Sequence, residues 1–287
     1  MVEESSQSSE SDAQKPSASN RPIVFIALLA CGLAVFLVPN LMEGNILSAN
    51  FKTVYMIVLP IVFLVLSAWM RKNEGLRKYF DITFAFFIAS LVYGIASPWG
   101  GGTTVENRTI NVVIYGVLVV VPLLVLSRAT SRSLDAIYVK TGNLRSGLLI
   151  GAITFLFFLI TCVPASVFVF GGQEPTSEQL IAWAPWLAVF IFVNALKEEL
   201  LWRGLFLRKY QTFVGYDPAN LLQAIIFGFA HFYVSSNLLG PLILVVIAFV
   251  LGLGFGAAMQ KTDSIVAPIL FHAGSDIPFL IAVFSVL

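Results

Sequence analysis

Apolar runs about as long as a bilayer is thick recur from residue 22 to the end of the sequence, and this repetition decides what the chain can fold into. A helix that crosses the hydrocarbon core needs about 20 mostly apolar residues. Runs of that order cover 22–42, 53–70, 80–98, 109–127, 146–170, 180–208, 218–234, 240–260 and 264–287. They are continuous rather than alternating, so they read as helices and not as strands of a lipid-facing barrel. The expected fold is all-α, a polytopic transmembrane helix bundle of about eight to nine spans. The runs 53–70 and 218–234 are short, and the count is eight if one of them is re-entrant. With 58% hydrophobic and 11% charged residues, the chain carries more apolar surface than one soluble core could hide, and too little charge for disorder.

The net charge of +1 points away from nucleic acid and leaves the lipid bilayer as the partner of most of the surface. Residues 1–21 are Ser-rich and polar and are expected to form a disordered tail. Residues 22–145 then supply N-terminal membrane helices, and 146–287 supply the helices that carry the chemistry. Cys31 and Cys162 both lie in apolar runs, so no disulfide framework is implied. The first run continues well past Cys31, which reads as an uncleaved helix rather than a lipoprotein signal.

Basic residues orient the bundle. Arg71, Lys72, Arg77 and Lys78 share one loop; Arg128, Arg132, Lys140 and Arg145 share another; Arg208, Lys209 and Lys261 follow. Nine alternating crossings with a cytoplasmic N-terminus put all of these on one side, leaving Lys52 and Arg108 opposite, a positive-inside pattern. The compact loops suit a bacterial cytoplasmic membrane.

Seven ionisable residues sit well inside the later apolar runs: Lys197, Glu198, Glu199, Arg203, His231, His272 and Asp276. Each is costly in a bilayer, and such residues mark functional sites by default. Residues four apart share a helix face, so Glu199 pairs with Arg203, and His272 with Asp276. Glu198 lies over Trp202 instead, about 100° round the helix, with no partner at helical spacing. At about 1.5 Å per residue, Glu198 is about 16 Å, His231 about 20 Å, His272 about 13 Å and Asp276 about 19 Å from the basic side. Helices of both directions thus bring these groups towards the middle of a core about 30 Å thick.

Two imidazoles with carboxylates suit two hydrolytic chemistries. In one, His231, His272 and Glu198 or Asp276 hold a divalent metal, zinc by ligand type, with a position left for water. In the other no metal is needed: Glu198 acts as general base on a water, and the histidines stabilise the oxyanion.

The sequence Glu198-Glu199-Leu200-Leu201-Trp202-Arg203-Gly204 resembles the EExxxR motif of the CPBP intramembrane proteases, which group CAAX-type endopeptidases with bacteriocin-processing and immunity proteins. Phe227-Gly228-Phe229-Ala230-His231 is similar to that family's FxxxH motif, and His272-Ala273-Gly274-Ser275-Asp276 to its His-xxx-Asn/Asp motif. The three occur in the family's order within residues 180–285. The resemblance implies an intramembrane endopeptidase acting on a peptide or membrane-protein substrate. It implies that Glu198 activates the water with His231 at the same site, and that His272 and Asp276 complete it as metal ligands or as oxyanion and orienting groups. Glu199 and Arg203 become supporting residues. Two other functions compete: a non-catalytic immunity or scaffold protein that keeps the motifs for structure, and a proton-coupled transporter. No internal repeat is visible, which counts against the transporter.

Overall fold

The computed structural model describes residues 20–43, 49–96, 101–131, 133–233 and 239–287. The polar tail expected at the N-terminus lies outside them up to residue 19. The helices are α1 Arg21–Phe36, α2 Val38–Glu43, α3 Ala49–Lys72, α4 Phe80–Ala96, α5 Val105–Ser131, α6 Leu144–Phe168, α7 Ser177–Glu199, α8 Arg208–Val214, α9 Tyr216–Ala230, α10 Leu239–Thr262 and α11 Val266–Phe284. A π-helical stretch, Leu200–Leu207, carries α7 into α8 without a break. Among the described residues there is no strand.

Eight helical stretches among the described residues are long and apolar enough to cross a bilayer. The short run 53–70 is one of them, lengthened to Phe51–Lys72. The run 218–234 is not: α9 has 15 residues, about 22 Å of helix against a core of about 30 Å. The loop before α6 and the loop after α10 are tied together, because Asn143 N–H donates to the Thr262 carbonyl at 2.7 Å and Ile265 N–H to the Tyr138 carbonyl at 3.3 Å. Lys140 and Asp263 add an ion pair. Both loops therefore lie on one side of the membrane. The chain between them contains three long spans, α6, the continuous Ser177–Val214 helix and α10.

The chain packs as two units. One comprises Met1–Leu91 and Leu205–Leu253, the other Val92–Gly204 and Gly254–Leu287. In the first, α9 packs on α1 and α8. Its core is aromatic: Phe206 lies 5.0 Å from Phe86 and stacks on Tyr210 at 5.4 Å between ring centroids. Asn40 Nδ2 donates to the Ala230 carbonyl at 2.6 Å, so one of the carbonyls at the end of α9 is satisfied by a side chain.

In the second unit, α11 packs on α6 and α7, and α7 also packs on α5. Local signals in the sequence start these helices. The Asn143 side chain accepts from Ser146 N–H at the head of α6, and Thr176 with Gln179 forms a capping box at the head of α7. The seam between α7 and α11 is apolar, with Leu187, Ile191 and Ala195 on one helix and Ala273, Ile277, Leu280, Ile281 and Phe284 on the other. The helices run antiparallel: Trp183 meets Phe284 at one end, and residues 194 and 199 meet 276 and 272 further along.

The approach of α6 to α11 depends on Gly274, where a Cβ would lie 2.7 Å from Phe155 Cα. Backbone cannot yield as a flexible side chain does, so Gly274→Val forces the helices apart. Overpacking of this kind costs about 1–3 kcal/mol. The variant is expected to melt several degrees below wild type in detergent, with no such loss for a valine at Gly75, where a Cβ would meet nothing within 4 Å.

Candidate active site

The apolar face of α7 repeats every fourth residue, Leu187, Ile191, Ala195, and its next two members are Glu199 and Arg203. The stripe that drives α7 against α11 therefore carries two charged groups into the protein interior, and both side chains are fully buried. They are stable there only as a pair: Arg203 Nη1 donates to Glu199 Oε1 at 2.8 Å. Glu198, one position off the stripe, keeps 17% of its side chain exposed. Two adjacent carboxylates thus receive different environments from helix geometry alone.

Helix α11 supplies the rest. His272 Nδ1 donates to the same Glu199 Oε1 at 2.7 Å. One carboxylate oxygen therefore bridges Arg203 and His272, joining two helices. The i, i+4 spacing of His272 and Asp276 would make Asp276 the partner that fixes the imidazole. Glu199 holds Nδ1 instead, and Asp276 Oδ1 lies 3.5 Å from Nε2. Glu198 Oε2 is 3.7 Å from the same Nε2. The ring nitrogen not taken by Glu199 faces both remaining carboxylates. Phe255 stacks on the imidazole at 4.7 Å and 11°, and the Arg203 guanidinium lies 4.9 Å from the same phenyl ring. The ring is thus fixed in plane as well as in hydrogen bonding.

Immediately past the Glu pair the helix widens into its π-helical stretch. Such insertions concentrate at functional sites. Gly204, inside that stretch, admits the Ile137 carbonyl to within 2.9 Å of where a Cβ would sit.

Two residues of this network carry no sequence signal. Asn194 Nδ2 donates to Asp276 Oδ2 at 3.0 Å, and its Oδ1 accepts from Lys197 Nζ at 2.8 Å. The Lys197 ammonium is also 3.5 Å from Glu198 Oε1 and 4.2 Å from the centre of the Tyr115 ring. Asn194 reads in the sequence as an ordinary polar residue of a span, and Tyr115 as one of many membrane aromatics. Lys197 stands out by charge, but its direction is invisible without the structure.

Of the six residues to which the family resemblance gives a role, five, Glu198, Glu199, Arg203, His272 and Asp276, meet in this one unit. His231 belongs to the other. There it follows the last turn of α9, donates from Nδ1 to the Phe227 carbonyl at 2.8 Å and lies edge-on to the Phe227 ring at 4.5 Å. Among the described residues no group of three or more His, Cys, Asp and Glu side chains is arranged to hold a metal ion.

A family model described as Type II CAAX prenyl endopeptidase Rce1-like matches residues 180–277. The matched segment contains all six of these residues. Comparisons with curated proteins and with solved structures found no match.

Removing Glu199 would leave the Arg203 guanidinium buried without its carboxylate, a loss of about 3–5 kcal/mol for pairs of this kind. Glu199→Ala is therefore expected to lower the folded fraction and the melting temperature in detergent far more than Glu198→Ala. Equal melting temperatures for the two variants would contradict the assigned geometry.

Proposed function

We propose that the chain is an intramembrane endopeptidase whose hydrolytic water is activated by Glu198, a reading supported by the match of residues 180–277 to the Rce1-like type II CAAX prenyl endopeptidase model and by the membrane-length helices. The observation that carries this reading is the unequal pair on α7. Glu199 is fully buried and committed to Arg203 and His272, whereas Glu198 retains exposure and faces the outer nitrogen of an oriented imidazole. Of the two adjacent glutamates, Glu198 is the one with exposure left to meet a water.

The steps follow from these groups. Glu198 takes a proton from water as the water oxygen attacks the scissile carbonyl carbon. Charge develops on the carbonyl oxygen, and His272, protonated at Nε2, donates to it. The bond from Nδ1–H to Glu199 keeps the ring at the angle this donation needs. Asp276, 3.5 Å from Nε2, supports the imidazolium form. When the C–N bond breaks, the proton on Glu198 passes to the departing amine. The family description makes a prenylated C-a-a-X terminus, with its lipid already in the bilayer, the substrate class to test first. The basic loops support a cytoplasmic N-terminus, and the compact loops fit a bacterial cytoplasmic membrane.

The test uses full-length protein in liposomes with a farnesylated C-a-a-X peptide and mass detection of the released tripeptide. Glu198→Gln keeps the shape of the side chain and removes the base, and is expected to lose about 10²–10⁴-fold in kcat. Full activity of a folded Glu198→Gln protein overturns the mechanism. A second measurement addresses the metal: activity is expected to survive prolonged treatment with a zinc chelator. Loss on chelation with recovery on added zinc would replace the general-base reading with a metal-bound water.

A further inference from the structure

We propose that Lys197 is a positioning residue for the reaction, holding Glu198 directly and Asp276 through Asn194; the assignment rests on the endopeptidase reading above. A lysine ammonium within a membrane span is expensive, and here only 7% of the side chain is exposed. Three contacts hold it, all within the site's unit. It donates to Asn194 Oδ1 at 2.8 Å, approaches Glu198 Oε1 to 3.5 Å and sits over the Tyr115 ring at 4.2 Å. Asn194 passes the constraint on, since its Nδ2 donates to Asp276 Oδ2 at 3.0 Å.

The two carboxylates that flank His272 Nε2 are therefore restrained from the far side. The Glu198 oxygen near Lys197 is Oε1, and the oxygen near His272 is Oε2. For Asp276, Oδ2 meets Asn194 and Oδ1 faces the imidazole. Each carboxylate spends one oxygen on the Lys197–Asn194 pair and presents the other to the ring. Charge points the same way. Glu198, Glu199 and Asp276 put three carboxylates around one imidazole; Arg203 is hydrogen-bonded to Glu199, and the Lys197 ammonium lies beside Glu198 and reaches Asp276 through Asn194. Tyr115, on α5, fixes the ammonium with the face of its ring. The site thus has two anchors of different kind. Glu199 with Arg203 orients the imidazole, and Lys197 with Asn194 orients the carboxylates.

The experiment compares Lys197→Met, Lys197→Arg, Asn194→Leu and the double Lys197→Met/Asn194→Leu in liposomes, with kcat and KM determined separately for the farnesylated peptide. Melting temperature controls for folding. Lys197→Met is expected to lose about 10²-fold in kcat with KM within about 3-fold, the signature of misplaced reacting groups rather than lost binding. Lys197→Arg should recover at least a tenth of wild-type kcat, because charge and reach are kept. The double variant should be no worse than Lys197→Met, because the two residues act as one chain. Wild-type kcat for Lys197→Met, or a KM increase at unchanged kcat, overturns the proposal. Should Lys197→Met fail to accumulate, Tyr115→Leu decides, since it loosens the ammonium without removing it: reduced kcat at constant KM supports the role and wild-type kcat refutes it. An inactive Glu198→Gln beside a fully active Lys197→Met removes only the role of Lys197. Full activity in both removes the endopeptidase mechanism itself.

Discussion

One carboxylate oxygen, Glu199 Oε1, accepts from both the Arg203 guanidinium and the His272 imidazole. It lies where water does not reach, in a span made mostly of apolar side chains. An isolated ion at that depth would cost several kcal/mol. The pairing with Arg203 makes the carboxylate tolerable, and the buried carboxylate in turn dictates which imidazole nitrogen is held. The orientation of His272, the direction of its second nitrogen and the convergence of Glu198 and Asp276 on that nitrogen all follow from this contact. It ties α7 to α11 through a bond that neither helix can satisfy alone.

Packing brings those atoms together. The four-residue repeat that lays Leu187, Ile191 and Ala195 against α11 continues into Glu199 and Arg203, so the force that buries the apolar seam also buries the ion pair. Glu198, one step round the helix, escapes full burial for the same geometric reason. The division of labour within the Glu-Glu pair thus needs no special environment beyond helical periodicity and an antiparallel neighbour. Phe255 completes the arrangement by covering the imidazole on one face. In a bilayer, where the hydrophobic effect does not drive helices together, such interhelical polar contacts and close backbone approaches are the available glue. Gly274 against Phe155 and Asn194 against Asp276 are one of each.

Much of this was legible in the sequence, and the reasons are physical. Long apolar runs report spans directly, because length and composition are the whole requirement for crossing a bilayer. The Glu199–Arg203 pair was legible because both partners sit on one helix four residues apart. Run 218–234 is visibly short, but that its helix ends at Ala230 is a matter of backbone course that composition does not encode. Contacts between helices were not legible at all. Spacing within α11 pointed His272 to Asp276, whereas the closer bond runs across to Glu199, because cross-helix register depends on packing. Asn194 was missed for the same reason. Its importance lies in what it faces on α11, and an asparagine in an apolar run carries no mark of that.

The most direct measurement of the central claim is quantitative mapping of peptide termini in membranes of cells that express either wild-type protein or Glu198→Gln at equal folded levels. The account predicts a set of new C-termini, from proteins held in or at the membrane, that appear with wild type and vanish with the variant. Identical termini in the two strains would contradict it and leave the buried network as a structural clamp without a hydrolytic role.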